Sequence, residues 1–147
     1  MDGRFVMPAV WIFGWAPTVQ ALTRYVSDGT DAEKWGAVNA LYHASGAWRP
    51  PFGPVAVDAE EGARVWNRFN EEMLRQFVQT TDVPLQQTIG RWLEPVQSYP
   101  PSLRALAKRA HEIARGHPDD FVRTAGRSFD DEGTLYKPLP PREGKDG

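Results

Sequence analysis

A chain of 147 residues with a net charge of -2 and an isoelectric point near 5.9 suits one domain, and it carries no global field that favours nucleic acid or an anionic membrane. It has no cysteine, which excludes disulfides, thiolate catalysis, iron–sulfur clusters and Cys-type zinc sites. Apolar residues are 41% of the chain, yet six are tryptophan, so a few large side chains must close a modest core.

The first element is an apolar run from Phe5 to Ala16, broken by Pro8 and Gly14. It is too short for a membrane span. As a secretory signal it has a poor positive leader, with Asp2 beside Arg4, so an arm packed on its own domain or on a partner is expected. Within it, Trp11, Ile12, Phe13 and Trp15 fall in five consecutive residues, more than one helical face can take. Such a cluster is either core or an interaction patch anchored by aromatics.

Helical signals follow. Pro17 suits a first helical position, and Val19, Leu22 and Val26 recur at spacings of three and four before Ser27-Asp28-Gly29 turns the chain. Thr30 and Glu33 form a capping box, and Trp35, Val38, Leu41 and Tyr42 are read as the buried face of the next helix, with Gly46 as its stop. Prolines at 50, 51 and 54 forbid a helix over residues 47–57, where an extended loop pinned by Trp48 and Phe52 is expected. Asp58 and Glu61 start the strongest element, running to Gln79. Trp66, Phe69, Met73 and Phe77 share one face of it, and Glu60, Arg64, Arg68, Glu71 and Arg75 share the other. Asp82 with Pro84 starts a shorter helix that buries Leu85, Ile89, Trp92 and Leu93. After the stiff Tyr99-Pro100-Pro101 connector, Ser102 is read as the cap of a helix to Arg115, with Leu103, Leu106, Ala110 and Ile113 inward and His111 outward. A last turn or two spans Asp119 to Ala125, and the acidic, Pro-rich residues from 130 onward read as a tail.

No GxSxG, P-loop, GxGxxG or HExxH pattern occurs. The adjacent carboxylates at Glu60/Glu61, Glu71/Glu72, Asp119/Asp120 and Asp130/Asp131 diverge by about 100° wherever they lie on a helix, which makes them poor acid–base dyads taken alone. His117 to Asp120 groups an imidazole with two carboxylates, a pattern that a helix stop and an Asp cap explain without a metal. Arg104, Lys108, Arg109, Arg115, Arg123 and Arg127 make a basic stretch able to meet phosphates.

The expected fold is all-α: a small irregular bundle of four to five helices over residues 18–129, with an apolar N-terminal arm over 1–17 and a flexible Pro-rich tail over 130–147. The expected function is a non-catalytic helical subunit or adaptor of a bacterial or phage protein assembly, including an accessory subunit of a larger enzyme. It is expected in the cytoplasm, without a cofactor or metal, and docking on a protein partner through Trp11, Ile12, Phe13 and Trp15. Two alternatives stand beside it. One is an apolar ligand held in a pocket of Trp66, Phe69 and Trp92; the other is nucleic-acid binding along the basic 104–127 stretch.

Overall fold

The computed structural model describes residues 6–44 and 58–127. Among them the fold is all-α, with seven α-helices and no strand. These are α1 (Val6–Phe13), α2 (Trp15–Asp28), α3 (Asp31–Ala44), α4 (Ala59–Gln79), α5 (Val83–Gly90), α6 (Arg104–Arg115) and α7 (Asp120–Arg127). Two short 3-10 turns, Val96–Ser98 and Pro101–Leu103, join α5 to α6. The count exceeds four to five because the apolar arm is itself helical on both sides of Gly14. None of the described helices is long and apolar enough to cross a membrane. The expected 47–57 loop, the Gly46 stop and the tail lie outside the described residues.

Local chemistry sets most of the helix starts. In the capping box before α3, the Thr30 N–H donates to Glu33 Oε2 at 2.7 Å and the Glu33 N–H donates to Thr30 Oγ1 at 3.3 Å. Asp58 accepts from the Glu61 N–H at 3.0 Å, Asp82 from the Leu85 N–H at 2.9 Å and Asp119 from the Val122 N–H at 2.9 Å. Each bond satisfies a donor that the first helical turn leaves orphaned. The start of α6 differs from expectation. Pro100 and Pro101 lead into a 3-10 turn, closed by the Leu103 N–H on the Pro100 carbonyl at 2.9 Å, and α6 grows from it without a Ser102 cap.

The long α4 is the axis of the bundle, packing on α2, α5 and α6. Helix α3 lies against α1, α2 and α5, and α7 closes against α5 and α6. Phe69, Met73 and Phe77 of α4 are buried as the periodicity requires, with Val65 and Leu74 widening the stripe. Ala107, Ala110 and Ala114 form the inner face of α6, where their small size lets neighbouring helices approach; Leu106 and Ile113 cover the edge. On α3 the expected Val38 and Leu41 are buried, but Trp35 is exposed and Ala37 and Ala40 are buried instead, because a helix touching three neighbours is covered over more than one stripe and its small residues allow the close approach. His111 also departs from its expected outward position. It is 2% exposed, and its Nε2 lies 2.8 Å from the Glu94 carbonyl, tying α6 to the chain that leads into it.

Candidate partner-binding surface

Helix α1 contains no ionisable residue, and apolar residues occupy it all the way round. The core takes only one side of it. Val6 and Val10, four residues apart, are buried against α2 and α3. Trp11 is 65% exposed, Ile12 73% and Phe13 69%, so three consecutive large apolar side chains stand in solvent. Water-facing single hydrophobes are ordinary, but a contiguous group of this size is a feature of interaction surfaces.

Trp15 separates from this group. It is 1% exposed and its ring lies 6.4 Å from that of Trp66, so it belongs to the core and not to the patch expected from sequence. Gly14 makes the separation. Its φ of 90° and ψ of 159° lie in a region that only glycine occupies readily. The helical path breaks there, and Trp15 is buried immediately after the exposed Phe13. A Cβ on Gly14 meets only the Pro17 ring, at an ordinary 3.6 Å, so the demand for glycine is torsional and not steric. Gly14→Ala is therefore expected to destabilise the fold by about 1–3 kcal/mol in urea unfolding. A loss near zero would show that the α1–α2 joint relaxes into an ordinary helix.

The other candidate groups resolve into structure. Trp66 stands 5.4 Å from Phe69 and 6.0 Å from Trp92, and Phe69 stands 6.5 Å from Trp92, all between ring centroids. At these distances the three rings pack on one another. His117 Nδ1 accepts from the Asp119 N–H at 3.0 Å, and its Nε2 lies 2.9 Å from Gln86 Oε1. Asp119 also accepts from Gln87 at 3.1 Å. The Val122 N–H is the main cause that holds the Asp119 carboxyl below its ordinary value, with the Gln87 hydrogen bond adding to it. These side chains lock α5 to the start of α7, which is what a helix stop followed by an Asp cap requires. No group of three or more potential metal ligands occurs among the described residues.

The basic stretch is divided. Arg104, Lys108 and Arg109 are exposed, but Arg123 donates to Asp120 and to the carbonyls of His117 and Pro118. Arg104 in turn donates through Nε to the Tyr99 carbonyl at 3.1 Å. On α4, burial pushes the Glu71 carboxyl up, but hydrogen bonds from Arg75 and Arg68 outweigh it and hold the group below its ordinary value. Searches against family models, curated proteins and solved structures return no match to this chain.

Proposed function

We propose that this chain is a non-catalytic helical subunit or adaptor of a bacterial or phage protein assembly, and that it docks on a protein partner through Trp11, Ile12 and Phe13. The observation that carries this reading is the exposure of all three side chains on an uncharged helix beside a core that is otherwise well filled. Trp and Phe are large, rigid and poorly solvated, so removing them from water supplies binding energy at little conformational cost. The GC-rich character of the composition, heavy in Arg, Ala, Pro, Gly and Trp, supports the bacterial or phage setting.

The test compares the tagged wild-type chain with Trp11→Ala and Phe13→Ala variants after purification from the native cells. The wild type is expected to emerge with a stoichiometric protein partner. Each truncation should weaken that complex by about 2 kcal/mol, or roughly 30-fold, with the helical circular dichroism unchanged. Undiminished binding by the double variant, or a wild-type chain that emerges alone and monomeric, would overturn the reading.

A further inference from the structure

A cleft of about 640 Å³ opens between α2 and α4, on residues distinct from the Trp11–Phe13 patch. Five charged side chains line it: Arg24 and Asp28 from α2, and Arg64, Arg68 and Glu72 from α4. Their positions follow from helical spacing. Arg24 and Asp28 are one turn apart, and Arg64, Arg68 and Glu72 are successive turns of α4. Val65 of α4 lies beneath the cleft as part of the core, almost wholly buried.

Three of the five charges already have partners. Glu72 is 5% exposed, and the Nη2 of Arg68 reaches its carboxylate at 3.2 Å. The other terminal nitrogen of Arg68 is 3.1 Å from Glu71, so that guanidinium is spread over two carboxylates. Asp28 accepts from Ser27 Oγ at 3.0 Å. Arg24 and Arg64 are exposed, and neither has a hydrogen-bond or ion-pair partner among the described residues. Among the described residues the cleft therefore presents two cations without an ion-pair partner, one on each wall, beside Glu72, which is paired with Arg68, and Asp28, whose hydrogen bond is to a neutral hydroxyl. Thr23, at the same wall, spends its hydroxyl proton on the Val19 carbonyl, which leaves the arginines as the strong donors on offer.

We propose that this cleft binds a small oxyanion, a carboxylate or a phosphate, held by Arg24 and Arg64. A guanidinium presents paired N–H donors that match a carboxylate or phosphate edge, and two of them on opposing walls grip one anion from both sides.

The experiment uses the full chain and two probes, inorganic phosphate and succinate, with the uncharged succinamide as a control. Binding is followed through the side-chain Nε–H resonances of arginine. Saturable shifts of both Arg24 and Arg64 with at least one anion, and none with succinamide, are the expected result. Phosphate alone succeeding would name a phosphate headgroup, and succinate alone a carboxylate. Arg24→Gln and Arg64→Gln should each weaken binding about tenfold, the worth of one charge-assisted hydrogen bond. Both residues are exposed, so unliganded melting should not change. The proposal fails if neither anion gives a saturable shift, if only one arginine responds, or if the double variant binds as well as the wild type.

Discussion

Phe69→Ala is expected to lower the unfolding free energy by about 3–5 kcal/mol, the usual result of truncating a buried aromatic ring. Phe69 is fully buried near the middle of α4, with the rings of Trp66 and Trp92 around it and Trp15 beyond Trp66. Removing it leaves a void beside Trp66 and Trp92, whose large, rigid rings collapse poorly into it. For a chain of this size the melting temperature should fall by about 10 °C. Trp35→Ala is the matched comparison. Trp35 is also a large aromatic on a helix but stands in solvent, so its removal should change stability by no more than about 0.5 kcal/mol. Equal effects of the two substitutions would contradict the packing of α4 and α3 described above.

The second large effect is alkaline. Burial pushes the Tyr99 phenol from its ordinary 10.0 up to about 12; the Glu94 N–H, donating to its oxygen at 3.2 Å, works against this, and the Glu94 charge adds to it. A phenol that ionises later in the folded state than in the unfolded state stabilises the fold in its neutral form. That contribution is complete below pH 10, where neither state is ionised. It is lost as pH rises from about 10 to about 12, because the unfolded chain ionises first. Two pKa units correspond to about 3 kcal/mol. Denaturant midpoints measured across this window should therefore fall more steeply for the wild type than for Tyr99→Phe. Parallel pH profiles for the two proteins would show that the phenol ionises without opening the Tyr99 pocket.

The reading of sequence succeeded where a single residue's local chemistry decides the outcome. Thr30, Asp58 and Asp82 are helix starts because a side-chain oxygen two or three residues before a backbone N–H satisfies it whatever the rest of the molecule does. The apolar stripe of α4 was legible because its period is strong over 21 residues. Ser102 misled because two prolines favoured a 3-10 entry that needs no cap. Trp35 and His111 misled for a different reason. Which side of a helix is covered depends on how many neighbours it has, and α3 and α6 each touch more of the molecule than one stripe suggests. Trp11, Ile12, Phe13 and Trp15 were recognisable as too many large side chains for one face, but the division between them rests on one torsion angle at Gly14, which composition does not reveal. The Arg24–Arg64 cleft had no sequence signal at all. Its cations are forty residues apart and line one cleft only because α2 and α4 pack together.

The absence of any ionisable side chain from α1 has a consequence for how the two surfaces respond to their surroundings. An association made through Trp11, Ile12 and Phe13 rests on expelling water from apolar surface, so it should loosen on cooling and scarcely notice ionic strength. An anion held by Arg24 and Arg64 should do the reverse, released by moderate salt and little affected by cold. On these two proposals the contact surfaces answer to separate solution variables, and temperature and salt together would dissect one from the other without a single mutation.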